Sequence, residues 1–108
     1  MKIAIPSMGK DLKSSISRKL GRAPFIIIYN SVSGEYDSIE NPGFKIQDGS
    51  GQKSTEIILQ NNIDVLLIEE IGRKSYSVLR KENIKIQLIN SGGTIKSVIN
   101  KFLKKMKI

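Results

Sequence analysis

Apolar residues recur along this chain in two rhythms. Short, largely apolar runs occur at "KIAIP" (residues 2–6), "FIIIY" (25–29) and "IDVLLI" (63–68), each bounded by polar or glycine-bearing segments. Short and β-branched, these runs predict strands buried on both faces, the first stopped by Pro6. The more polar 35–40 segment follows a turn signal at Ser33-Gly34 and predicts a hairpin with the strand before it. "IKIQLI" (84–89) alternates, which suits an edge strand whose free side is open to association. Between the strands the period lengthens. Residues 51–61 read as a helix capped by Ser50, and 72–82 as a second with Ser75, Val78, Leu79 and Glu82 at helical spacing. The final helix is clearest, with Ile95, Val98, Ile99, Phe102, Leu103 and Met106 in one stripe and Lys101 and Lys104 outward.

The resulting order, βββ-α-β-α-β-α, predicts one α/β domain over residues 1–108. Its expected form is a three-layer sandwich whose five-stranded mixed sheet has order 3-2-1-4-5 and helices on both faces. Right-handed crossovers make the first, fourth and fifth strands parallel and the second opposed. Ligands in such sheets bind beyond the carboxyl ends of the strands, where the connections diverge. Here that point falls between Pro6 and Ile68, and loops 7–22, 43–52, 69–74 and 90–95 should meet there. Every glycine except Gly34 lies in one of those loops.

Charge sharpens the picture. The formal net charge is +8, Glu82 is the last acidic residue and six lysines follow it, which favours an anionic partner. With no Cys and no His, the chain offers no thiolate or imidazole chemistry and no zinc pattern built from them. All three predicted helices carry bases near their first turn: Lys53, Arg73 with Lys74, and Lys96. Each such base opposes the helix dipole by about 0.3–1 kcal/mol unless an anion sits nearby, supplied from outside or by Asp11, Asp48, Glu69 or Glu70. Arg18, Lys19 and Arg22 crowd around Gly21 in the loop leaving the first strand. These four are the leading candidates for the rim of an anion-binding crevice, with Gly72, Gly92 and Gly93 giving backbone access. Arg73, Lys74 and Thr94, the last also a plausible N-cap, complete the set. Met8 could offer a thioether from the same loop, although a packing role suits it better.

Taken together, "MKIAIPS", "LGRAPFIIIYN", "IENP", "GSGQKSTEIIL", "IDVLLIEEIG", "VLRKENIKIQL" and "GGTIKSVINKF" resemble the dinitrogenase iron–molybdenum cofactor biosynthesis family nearly end to end. The resemblance implies a ribonuclease H-like architecture. It also implies a non-enzymatic domain that binds or carries iron–sulfur or molybdenum-containing cluster precursors and passes them to a cluster-receiving protein. Where the family pattern often places His and Phe before "GRAP", this chain has Lys19 and Leu20. Capture of the anionic cluster then falls to Arg22, neighbouring bases and backbone N–H groups.

Other classes fit less well. A two-metal nuclease needs converging carboxylates; the first strand holds none, and adjacent Glu69 and Glu70 tend to point to opposite sides. Non-specific nucleic-acid binding through the basic C-terminal helix lacks aromatic stacking platforms, since Phe102 belongs to the apolar stripe. "INSGGT" is too short for a dinucleotide fingerprint and lacks the Walker pattern, but leaves a small-anion or nucleotide-binding regulatory module as an alternative. No apolar run is long enough to span a membrane and "MKIAIPSMGKD" has no signal-peptide core, so the expected location is the cytoplasm.

Overall fold

A computed structural model describes residues 1–46, 49–90 and 92–106. Five strands form one sheet: β1 (Lys2–Ser7), β2 (Phe25–Asn30), β3 (Tyr36–Glu40), β4 (Val65–Ile68) and β5 (Lys85–Leu88), in the order β3-β2-β1-β4-β5. β1 runs antiparallel to β2 and parallel to β4, and β4 runs parallel to β5, as the crossover rule requires. Three helices cover it: α1 (Ser50–Gln60), α2 (Arg73–Lys81) and α3 (Ile95–Met106).

Alternation along the buried strands splits the core in two. Ile3, Ile5, Ile27, Val65 and Leu67 face α3, meeting Ile95, Val98, Ile99 and Phe102. Ala4, Ile26, Ile28, Leu66 and Ile68 face the opposite way, onto Ile58 of α1 and Leu79 of α2. Every residue of β4 is buried, as expected of a parallel strand with helices on both sides.

Several local expectations need correction. Pro6 does not stop β1; it pairs with Ile26 in a strand that continues to Ser7. Proline is tolerated there because the pairing of β1 with β4 runs only through Ile3–Val65 and Ala4–Leu66, so no bond of that register is lost. Ser50 is the first residue of α1, not its cap. Gly49 occupies the cap position at φ 77°, a left-handed geometry in which glycine escapes the Cβ clash. On α2 only Leu79 is buried and Val78 is exposed, while Met106 at the end of α3 also faces solvent.

Candidate functional site

The expected opening between the ends of β1 and β4 is stoppered by the chain itself. Beyond Pro6 the first loop folds back. Ser17 N–H donates to Pro6 O at 2.9 Å, Ser7 and Ile16 form an antiparallel bridge, and Lys19 bridges to Glu70 in parallel. Glu70 N–H donates to Arg18 O at 3.1 Å. Residues 16–19 therefore act as a short backbone strap across the switch point. Concave space lies on either side of it.

One crevice, of about 340 Å³, is lined by Lys19, Gly21, Arg22, Ser50, Gly51, Glu70, Gly72 and Ser75 among others. Three structures converge on it: a 3-10 turn over Leu20–Arg22, the start of α1 and the start of α2. Both helices have glycine at the N-cap, no side-chain cap and no acidic residue in the first turn. Both helix starts, which carry unpaired N–H groups and the positive ends of their dipoles, thus border the same hollow that Lys19 and Arg22 flank. A second crevice, about 420 Å³ and more open, lies across the strap and is lined by Met8, Ile16, Ser17, Arg18, Lys19, Arg22 and Glu70. Lys19, Arg22 and Glu70 border both.

The 3-10 turn is fixed by a buried amide. Asn41, 4% exposed, donates from Nδ2 to Leu20 O and Ala23 O, both at 2.8 Å. Its Oδ1 accepts from Gly43 N–H at 3.2 Å and from Ser54 Oγ at 2.7 Å, tying the turn to α1. Gly21 completes the fit. A Cβ there would lie 2.6 Å from Ser50 Oγ and 3.0 Å from Gly51 N, so the serine side chain would have to turn away and the start of α1 give by a few tenths of an ångström. The close approach of the turn to the start of α1 therefore depends on both residues.

The electrostatics are partly compensated. Arg18 Nη2 lies 2.5 Å from Glu70 Oε1, and Lys19 Nζ lies 3.9 Å from Glu70 Oε2. Among the described residues Arg22 has no carboxylate within 4 Å. Of the four acidic residues considered as internal counter-ions, Glu70 serves. Asp11 instead accepts from Lys13 N–H and Ser14 Oγ, Glu69 makes no ion pair among the described residues, and Asp48 lies outside them. Lys53 pairs with Glu56 on its own helix at 3.7 Å.

The remaining candidates separate. Lys74 lines a groove between α1 and α2, with Gln52, Glu56 and Val78, and Arg73 borders neither crevice. Gly92 lines a different groove beside α3, and neither Gly93 nor Thr94 borders the two crevices. Loop 90–95, of which Ser91 lies outside the described residues, thus does not line them. The start of α3 is closed by the protein. Ile95 N–H donates to Ser14 O and Lys96 N–H to Leu12 O, both at 2.9 Å. Ser97 N–H donates to Thr94 Oγ1 while Thr94 N–H donates to Ser97 Oγ, each at 3.1 Å, a reciprocal arrangement of the capping-box kind.

The whole chain can be set against known proteins, including "GRAPF", whose Gly21 and Arg22 border the first crevice, and "IDVLLIEEIG", which carries β4, Glu70 and Gly72. The dinitrogenase iron-molybdenum cofactor family matches over residues 1–105. The chain belongs to that family. Among solved structures, a Thermotoga protein provisionally assigned as NifB is 31% identical over 95% of this chain and 87% of its own, with a TM-score of 0.82. The apo form of the orange protein from Desulfovibrio gigas superposes with a TM-score of 0.89 over 96% of this chain and 88% of its own, at 21% identity, and shares the fold. No curated protein matches the chain.

With no His or Cys, and no group of three or more carboxylates among the described residues placed to hold a metal, the crevice offers hydrogen-bond donors and positive charge rather than metal ligands. Sequence reasoning missed Ser50, Ser75 and Asn41, and placed Gly51 at this edge only through its loop, without singling it out. Ser50 and Gly51 were legible only as helix-start residues, while Asn41 carried the signal of its "NP" turn and gave no hint that its amide would reach Leu20.

Proposed function

We propose that the protein is a non-enzymatic binding or carrier domain for an anionic iron–sulfur or molybdenum-containing cluster, or a precursor oxyanion, held in the crevice between the 3-10 turn and the starts of α1 and α2. One observation carries this reading: two helix N-termini without side-chain caps converge with Lys19 and Arg22 on one hollow. A helix start presents N–H donors and about half a positive charge, so two of them bordering one hollow favour a multiply charged anion. The cluster is cargo in this reading. It would be held through its sulfido or oxo edges by Arg22, Lys19 and the N–H groups around Gly51 and Gly72, without a covalent ligand from imidazole or thiolate. Membership of the cofactor family supports the choice of cargo.

Anaerobic reconstitution with iron, sulfide and molybdate tests the proposal, followed by metal analysis of the desalted protein and its absorption spectrum. Retained iron or molybdenum with a coloured product is expected, and colourless, metal-free protein would count against a cluster. Thermal shift with molybdate should show stabilisation that Arg22→Ala weakens, with affinity falling roughly tenfold for one lost charged hydrogen bond. Equal stabilisation of both proteins would remove Arg22 from the site.

A further inference from the structure

At one edge the sheet ends in β5, which lies beside a basic, apolar-floored groove. β5 bonds only to β4. Lys85 N–H donates to Asp64 O and Ile89 N–H to Ile68 O, each at 3.0 Å, so the odd-numbered residues face inward. The backbone N–H and C=O groups of Ile86 and Leu88 therefore face outward along the open edge, where Leu88 O accepts from Gln87 Nε2 at 3.2 Å and an added strand would take that side chain's place. Next to this edge runs a groove of about 350 Å³ lined by Leu88, Ile89, Val98, Phe102, Lys101 and Lys105 among others. Val98, Lys101, Phe102 and Lys105 recur at three and four residues on one side of α3, placing two ammonium groups along an apolar floor. Lys85 adds a third, its Nζ 5.9 Å from the Phe102 ring centre. No acidic residue follows Glu82 in the sequence, and none forms an ion pair with these lysines among the described residues.

We infer that this edge docks an extended acidic segment of a partner protein, added as a sixth strand along β5. Its backbone would pair with Ile86 and Leu88. Alternate side chains of the added strand fall on the α3 side, where carboxylates meet Lys85, Lys101 and Lys105 and their methylenes cover Val98 and Phe102. The intervening side chains fall on the other face, against Leu88, which is 57% exposed. Charge complementarity selects this occupant. A second copy of the chain paired edge to edge would bring Lys85, Lys101 and Lys105 against their own counterparts, a like-charge arrangement that disfavours self-association.

The test uses the intact protein and a nine-residue peptide of alternating glutamate and valine, capped at both ends, followed by amide shifts in proton–nitrogen spectra. Shifts and slowed hydrogen exchange at Ile86 and Leu88 are expected. Binding should weaken roughly tenfold in the Lys101→Glu, Lys105→Glu double variant, whose changes are on the solvent side of a helix. Leu88→Pro, which removes an outward N–H without touching the bonds to β4, should weaken binding as well. Unmoved Ile86 and Leu88 amides at millimolar peptide would overturn the proposal, as would equal binding of a lysine–valine peptide. A single-stranded oligonucleotide that binds Lys101 and Lys105 while the acidic peptide does not would reassign the surface to nucleic acid. A dimer of the free protein that the peptide dissociates would reassign it to self-association.

Discussion

The starts of α2 and α3 have similar sequences and opposite fates. Both follow glycine and both place a base in the first turn, "GRK" at one and "GGTIK" at the other. At α3 the terminal amides are consumed by Leu12 O, Ser14 O and Thr94 Oγ1, so its positive end is satisfied inside the protein. At α2, as at α1, a glycine cap supplies no side chain and the helix opens onto a crevice. Glycine before a helix therefore does not identify an anion site. What distinguishes the two is whether a neighbouring loop delivers carbonyl oxygens to the first turn.

Four substitutions break or sharpen this contrast. Asn41→Ala should have the largest effect, since it strands Ala23 O in a buried place and leaves Leu20 O only the long bond from Ala23 N–H at 3.4 Å. A loss of about 2–3 kcal/mol is expected in urea denaturation, and anion binding should fall with it because the turn is no longer held. Gly21→Ala should cost about 1–3 kcal/mol by forcing the turn away from Ser50 and Gly51, and should enlarge the crevice. If its anion affinity matched that of the unaltered protein, the close approach would have no bearing on binding. Thr94→Ala removes the cap of the closed helix. It should cost about 1 kcal/mol while leaving molybdate stabilisation intact, and reduced stabilisation would mean that the two helix starts are not independent. Arg18→Ala should be smallest, within about 0.5 kcal/mol, because its pair with Glu70 is solvent-exposed. Denaturation midpoints compared at low and high salt would check it.

Strand order and direction were readable because "FIIIY", "IDVLLI" and the stripe of α3 carry unambiguous periods, and right-handed crossovers leave few ways to join them. Family membership was readable from the combined motifs. The site was readable only in part. Arg22, Lys19, Gly21 and Gly72 come together because they adjoin strand ends, whose position follows from topology. Loop 90–95 was misplaced because its role depends on long-range bonds from Ile95 and Lys96 to residues 12–14, which no local pattern encodes. The strap over the switch point was equally hidden: residues 16–19 carry no strand-like run, and they extend only because Pro6 O and Glu70 N–H await partners there. Ser50 was mistaken for a cap because serine often is one, whereas Gly49 takes that position through its left-handed backbone.

Glu70 gives the crevice a resident competitor. Its carboxylate already engages Lys19, and Arg18 on the neighbouring crevice, so an arriving anion gains Lys19 only by displacing it. Chloride or another singly charged ion exchanges one minus for another and gains little, whereas a species bearing two or more charges still profits from Arg22 and the helix starts. Selectivity by valence, in a cell crowded with monovalent salts, would then reside in a single acidic side chain. Glu70→Gln should bind molybdate and chloride with a smaller difference between them, and an unchanged ratio in competition titrations would locate the discrimination elsewhere.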